Sequence, residues 1–377
     1  MATIAFRSTT PTSLSIIRHA FRSKSPRFQS TSSSLSSLSD DGDNKRPSIA
    51  IVGSGAVGGY YGARLWESGS YDVKFQMRGE NLKKSTSDGF VVTSIDGDIF
   101  IPPDQLQAFE DPNDVGPVDW VVVCLKSSSL SDIPDLVYPL LESKRTRILT
   151  IMNGLIEEDL IQLLKERAGG EEFCAALYGG MALVCSNRTG PGTVDHSFAG
   201  LLSGGLAISQ ERVFTDEENQ QAFQDLWAPT SIDIAYEQSL LAGRWRKCLW
   251  NLPFNGISVA MGGITVDKIV NDSGLRQLAN IIMDETVSAA NADMAAHGFG
   301  KEMYLDDADK KKMMDLSDNM GPYRTSTMID FVEGRPLEVN YLFTKPVERA
   351  RALGVCVPHL DTLVTQIEAY QRFGNLK

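Results

Sequence analysis

The chain has 377 residues and a formal net charge of −12, with 42% apolar and 22% charged residues. That length suits two domains of ordinary soluble composition, and no apolar run approaches the roughly 18 residues that would span a bilayer. The acidic balance, without a long basic cluster in the globular part, argues against nucleic acid as a partner.

The first 39 residues are a different material, with five Lys or Arg, twelve serines and no acid. Leu14 to Arg22 can form a short basic amphipathic helix, so the stretch reads as a disordered organelle transit peptide outside the fold. Arg27-Phe28-Gln29-Ser30 resembles a mitochondrial processing site, while the serine richness also suits a chloroplast. Residues 40–46 read as a solvated linker. Cys124, Cys174, Cys185, Cys248 and Cys356 lack metal-ligand spacing and read as buried thiols in a reducing compartment.

The strongest early signal lies at 48–62, where an apolar run, Ile49 to Val52, meets Gly53-Ser54-Gly55-Ala56-Val57-Gly58. A helix-like stretch, Ala56 to Glu67, follows. Strand, G-x-G-x-x-G turn and helix together form the phosphate-binding start of a dinucleotide fold. Gly53 permits the tight turn, Gly55 the approach of backbone to pyrophosphate, and Gly58 the packing of helix on strand. The helix N-terminus then offers free N–H groups and partial positive charge to phosphate.

Downstream, Tyr71 to Met77 predicts a second strand, and Phe90 to Thr93 with Asp98 to Ile101 a hairpin. Val118 to Leu125 predicts a buried strand, Ser131 to Ser143 a helix, Arg147 to Met152 a strand, and a helix follows through about Arg167. Between Phe173 and Ile208, short antiparallel strands are expected, broken at Gly190-Pro191-Gly192 and at Ser203-Gly204-Gly205. Residues 215–228 predict a helix, and from Gln238 onward helices are expected at 240–262, 273–297, 306–315, 325–333, 337–353 and 359–372. The reading is an α/β Rossmann-type domain over 47–237, then an all-α substrate and catalytic domain over 238–377.

The second strand should end at the residue that reads the adenosine ribose. It ends in Gln76-Met77-Arg78-Gly79, with no acid at the tip. Arg78 suits a 2′-phosphate through its planar fork, which favours NADPH over NADH. Two more strand ends carry polar groups where ligands bind in open α/β sheets, Lys126 and Asn153. A lysine that ends an apolar strand is costly unless it faces a cleft, although both positions also suit turns.

Lys247, Asn251 and Asn255 follow at spacings of four, on one face of a helix whose other faces are apolar. Such a helix should be buried, so its polar stripe must find partners or line a cavity; Pro253 can kink it. Reduction of a ketone needs a proton donor near the developing oxyanion. Beyond the leader, His297 looks like a helix cap, His359 like a turn residue, and His196 stays open as a donor. A buried lysine is the better candidate, since desolvation moves its pKa toward neutrality.

From about residue 48 to 372 the chain resembles the 2-dehydropantoate 2-reductase (ketopantoate reductase) family. The resemblance rests on the glycine loop, Arg78-Gly79, Cys124-Leu125-Lys126, Asn153-Gly154, Gly190-Pro191-Gly192, Trp245-Arg246-Lys247 with Asn251 and Asn255, Ser326-Thr327-Met328, and Gly334-Arg335-Pro336-Leu337-Glu338. It implies NADPH-dependent reduction of the 2-keto acid 2-dehydropantoate to pantoate. Lys247 would donate the proton and Glu338 position the substrate. Asn251, Asn255 and Ser326 would grip the substrate's hydroxyl and carboxylate, Lys126 and Asn153 would sit at the nicotinamide, and Arg78 at the 2′-phosphate. Met152 and Ile156 depart from the family's usual residues, residues 209–222 look like an acidic insertion, and a shortened segment leaves Ser326 and Thr327 competing for one role. The alternatives are a reductase of another branched 2-keto acid and a non-catalytic NADP(H) sensor, which would need no proton donor. Either a monomer or a homodimer fits.

Overall fold

A computed structural model describes residues 45–209 and 214–373. The leader 1–39, most of the linker and residues 210–213 of the acidic insertion lie outside the described residues. In chain order the first elements are β1 (Ser48–Val52), α1 (Ala56–Glu67), β2 (Asp72–Gln76), α2 (Gly79–Asp88), β3 (Phe90–Ser94), β4 (Ile99–Ile101), β5 (Gln107–Phe109) and β6 (Trp120–Val123). Then come α3 (Ile133–Val137), β7 (Arg147–Ile151), α4 (Glu157–Arg167), β8 (Ala176–Gly190), β9 (Thr193–Ser209), α5 (Asp216–Trp227) and β10 (Ile234–Tyr236). The strands make one sheet in the order β4-β3-β9-β8-β7-β6-β1-β2-β5, with β10 beside β9. The central strands β2, β1, β6, β7 and β8 are mutually parallel, and every residue of β1 and β6 is buried because helices cover both faces.

Two sequence expectations are corrected. The helix expected over Ser131 to Ser143 is broken into a 3-10 turn (Ser127–Asp132), the five-residue α3 and a second 3-10 turn (Tyr138–Leu140). Pro139 lacks an N–H to donate and obstructs the preceding turn, so the helix cannot propagate past it. Nor do Ser203-Gly204-Gly205 end a strand, since β9 runs through them. A side chain at Gly204 would meet Phe223 at 2.8 Å, and one at Gly205 the Glu237 carbonyl at 2.6 Å. These glycines admit close packing on β9. The break at Gly190-Pro191-Gly192 is the tight turn of the β8–β9 hairpin.

The helical half contains α6 (Leu240–Ala260), α7 (Val266–Asn271), α8 (Ser273–Ala296), α9 (Asp307–Asp318), α10 (Ser326–Val332), α11 (Lys345–Ala352) and α12 (Pro358–Phe373). Among these α6 is the axle, packed on α8, α10 and α12 and buried along nearly its whole length, including Pro253. Its apolar faces, among them Trp245, Leu249, Leu252 and Phe254, join the core of this half. A short π-helical segment, Asn340–Thr344, sits just past Glu338. There the Tyr341 carbonyl accepts from Leu155 N at 3.1 Å and ties the halves together. No disulfide joins the five cysteines among the described residues; Cys174 and Cys248 are buried as expected, whereas Cys356 is exposed and Cys124 and Cys185 are half-buried.

Candidate active site

The glycine turn between β1 and α1 is built by the absence of side chains. Gly53 has φ of +92°, and a Cβ there would meet Leu125 at 2.6 Å and the Cys124 carbonyl at 2.9 Å. A Cβ on Gly58 would lie 2.2 Å from the Gly53 carbonyl. Around Gly55 nothing among the described residues lies within 4 Å of that position. The outer glycines are therefore filled by protein, and the middle one opens outward. Gly55 is also the N-cap of α1, with no capping side chain and no acid in the first turn. The N–H groups of that turn are left for an anion. A dinucleotide diphosphate fits this cradle.

The turn opens on a cleft of about 1350 Å³ between the sheet and the helical half. Gly55, Ala56, Val57, Lys126, Asn153, Lys247, Asn251, Ser326 and Glu338 all line it, although up to about 285 residues separate them in sequence. Gly53, Ser54 and Gly58 lie behind this surface and shape the turn, with the Ser54 hydroxyl buried and without a hydrogen-bond partner among the described residues. Arg78 is exposed at the tip of β2, where it caps α2, outside the cleft lining. Asn255 also lies outside the lining, buried in α6, and neither atom of its amide has a hydrogen-bond partner among the described residues. An orphaned buried amide is costly in a finished core.

Lys247 is 9% exposed, and its Nζ donates to the Ala182 carbonyl at 3.1 Å beside the Trp250 ring. Burial pulls its pKa down to about 8, and the Arg244 charge adds to the fall. One turn earlier, Arg244 is buried and fans its guanidinium over three elements. Nε and Nη2 donate to Glu157 at 3.0 and 2.5 Å, and Nη1 donates to the Gly180 carbonyl at 3.1 Å and to the Met152 carbonyl. Met152 precedes Asn153, and Gly180 lies two residues before Ala182. Arg244 thus fixes α6 against the strand ends that carry the other side of the site.

Two contacts cross the cleft. Glu338 accepts from Ser127 N at 2.6 Å and from the Ser127 hydroxyl at 3.0 Å, while burial raises its pKa against those donors. Lys126 Nζ pairs with Asp330 at 2.7 Å, and Asp330 also holds Arg335 at 2.9 Å. Ser326, in the first turn of α10, lines the cleft, whereas Thr327 is buried away from it. His196 uses both ring nitrogens internally, with Ser94 at 2.8 Å and the Ala199 carbonyl at 3.1 Å, and lies outside the lining. Burial also lowers its pKa. Sequence reasoning missed Arg188, Arg324, Asp330 and Arg335 in the lining. Arg188 stands just before Gly190-Pro191-Gly192 and Arg324 just before Thr325-Ser326, so nearness to recognised motifs was the available signal.

A glycine-turn nucleotide fold, a helical half carrying a buried lysine and a shared cleft define a dinucleotide-dependent oxidoreductase. Residues 49–207 match the family model described as ketopantoate reductase PanE/ApbA, and residues 239–371 its C-terminal counterpart. The chain belongs to the ketopantoate reductase family. A Nostoc protein named 2-dehydropantoate 2-reductase is 33% identical over 321 residues, 85% of this chain and 93% of its own. The crystal structure of 2-dehydropantoate 2-reductase from Geobacter metallireducens is 34% identical, with a TM-score of 0.74 over 85% of this chain and 99% of that one. A D-mandelate dehydrogenase solved with NADH and anilino(oxo)acetate shares the fold alone, at 18% identity and a TM-score of 0.72 over 87% of this chain and 99% of its own.

Proposed function

We propose that the protein reduces 2-dehydropantoate to pantoate with NADPH. The observation that carries this reading is Lys247, a buried amine facing the same cleft as the open glycine of the phosphate turn. Reduction of the keto group adds hydride at carbon and a proton at oxygen; NADPH supplies the first when bound, and Lys247 Nζ the second. With a pKa of about 8 the amine is mostly protonated at neutral pH yet releases its proton readily. Burial also strengthens its attraction for the developing alkoxide.

In this reading Glu338 hydrogen-bonds the substrate and orients it toward Lys247. Asn251 and Ser326 hold the substrate's hydroxyl and carboxylate from the lining; Asn255, one turn further along α6 and outside the lining, would join them once substrate opens the cleft to it, which would give its orphaned amide a partner. Lys126 and Asn153 stand at the nicotinamide end, and Arg78 reads the 2′-phosphate. The names of the Nostoc and Geobacter relatives support the substrate. Residues 47–237 act as the cofactor domain and 238–377 as the catalytic one, and the leader directs import into an organelle, the mitochondrion with the chloroplast as alternative.

The deciding experiment is NADPH oxidation by the purified chain across a panel of 2-keto acids. The panel should include benzoylformate, because a fold neighbour is named for mandelate. A clear preference for 2-dehydropantoate is expected, and turnover of another acid in its place would overturn the substrate. Arg78→Ala should weaken NADPH far more than NADH; equal loss would move 2′-phosphate recognition to another residue. A fusion of residues 1–39 to a fluorescent protein tests the address, which a cytosolic signal would refute.

A further inference from the structure

Strand β8 outruns the sheet it belongs to. Its pairing with β7 ends at Gly180, yet it continues to Gly190 with β9 as its partner, through register shifts at Leu183/Val184 and Cys185/Ser186. Bulges of this kind bend a strand, and here the hairpin curls across the first turns of α1. Along this extension Ala182 meets Lys247, and the Ser186 hydroxyl donates to the Ala56 carbonyl at 2.8 Å. At the tip, Gly192 N donates to Asn81 Oδ1 at 2.8 Å, in the first turn of α2. The strand thus runs from the catalytic lysine, past the glycine turn, to the helix that Arg78 begins.

Arg188 lies between these points, two residues beyond Ser186. Across the ladder it faces Val194, and opposed residues of an antiparallel pair share one face of the sheet. Val194 packs on α1, where a Cβ on Gly59 would touch it at 2.9 Å. Arg188 therefore projects to the α1 side, and it lines the cleft with Gly55, Ala56 and Val57. No carboxylate pairs with it among the described residues, and the first turn of α1 has no acid. An unpaired guanidinium beside the positive end of a helix is an unfavourable pairing of like charges. It becomes favourable once an anion lies between them.

We propose that Arg188 is a cofactor-binding residue that closes over the diphosphate of the dinucleotide from the side opposite the α1 N-terminus. The inference rests on the dinucleotide reading of the glycine turn and adds a contact from a strand some 130 residues beyond it. Because the diphosphate is common to both cofactors, Arg188 contributes affinity without choosing between them; the choice is left to Arg78.

The test is titration of the full chain and its Arg188→Gln and Arg188→Lys variants with NADPH and with NADH, followed by tryptophan fluorescence. Arg188→Gln should raise Kd for both dinucleotides by roughly tenfold. Arg188→Lys should recover part of the loss, since it restores charge without the bidentate fork. The side chain is exposed, so thermal unfolding without cofactor should match the parent chain. Unchanged affinities would overturn the proposal. A loss confined to NADPH would also overturn it, by placing Arg188 at the 2′-phosphate. If the unsubstituted chain takes up neither dinucleotide, the glycine-turn reading itself fails, and this inference with it.

Discussion

The two walls of the cleft make a site in opposite ways. On the sheet side, residues 53–58 act through what they lack, because the turn exists only where no Cβ intrudes and it leaves backbone N–H groups open to the cleft. On the helical side, α6 acts through what it carries, a stripe of Lys247, Asn251 and Asn255 held inside an apolar helix at a cost in solvation. The first wall should therefore fail when atoms are added, and the second when groups are removed. Mutation can break that contrast.

The largest effect is expected at Gly58. A methyl there would sit 2.2 Å from the Gly53 carbonyl oxygen, a backbone atom and not the end of a flexible side chain. Gly58→Ala should cost about 3 kcal/mol or more and abolish NADPH binding. Gly55→Ala meets no atom of the described residues within 4 Å, so it should unfold like the parent chain and lose only cofactor affinity. Thermal melts with and without NADPH separate the two outcomes. If Gly58→Ala kept parental stability, the account of the turn would be wrong.

Next in size is Lys247→Ala. Removing the proposed general acid should cut kcat by roughly 10²–10⁴-fold while leaving Kd for NADPH nearly unchanged. In the parent chain, kcat should fall as pH rises through about 8, where the amine loses its proton. Turnover within a few-fold of the parent would remove Lys247 from the chemistry.

Both walls left marks in the sequence, for physical reasons that set the limit of what was readable. Glycine spacing and a four-residue polar period are local, so the turn and the α6 stripe were visible, as were most helices of the second half. Contacts made by tertiary placement were not. Nothing near Arg188 says that β8 bends over α1, and nothing near Asp330 says that it meets Lys126, 204 residues away. Ser127 stood in view beside Lys126, but its bond to Glu338 depends on how the halves dock. The early end of the helix after β6 was legible in principle, since Pro139 forbids its continuation.

The stripe's solvation cost gives a third prediction, smaller and opposite in sign. An unfolded lysine titrates near about 10.4, whereas Lys247 is held at about 8. Between those values the unfolded chain holds a proton that the native chain has shed, so stability rises with pH across that window. At pH 7 the native chain bears the full cost of the buried charge. Lys247→Met should therefore stabilise the protein by about 2 kcal/mol at pH 7, and the gain should shrink as pH climbs from 8 toward 10. Denaturant melts at pH 7 and pH 9.5 decide it; a variant less stable at pH 7 would mean that the bond to Ala182 outweighs desolvation.

The smallest effect, and the sharpest probe of how the walls are joined, is at Arg244. It touches neither cofactor nor substrate in this reading, yet its guanidinium ties α6 to the carbonyl before Asn153, to β8 and to Glu157 at the start of α4. Arg244→Lys keeps the charge but offers one nitrogen where three acceptors wait. It should lower kcat by roughly tenfold, since small misplacement of a reacting group is expensive, with KM for NADPH held because the glycine turn is untouched. Its pH profile should keep the parental limb near 8. Arg244→Met also removes a like charge from beside Lys247, so its limb should move to higher pH. Equal limbs in the two variants would make Arg244 a strut alone, and an unchanged kcat in both would show that the strand ends and α6 hold their register without it.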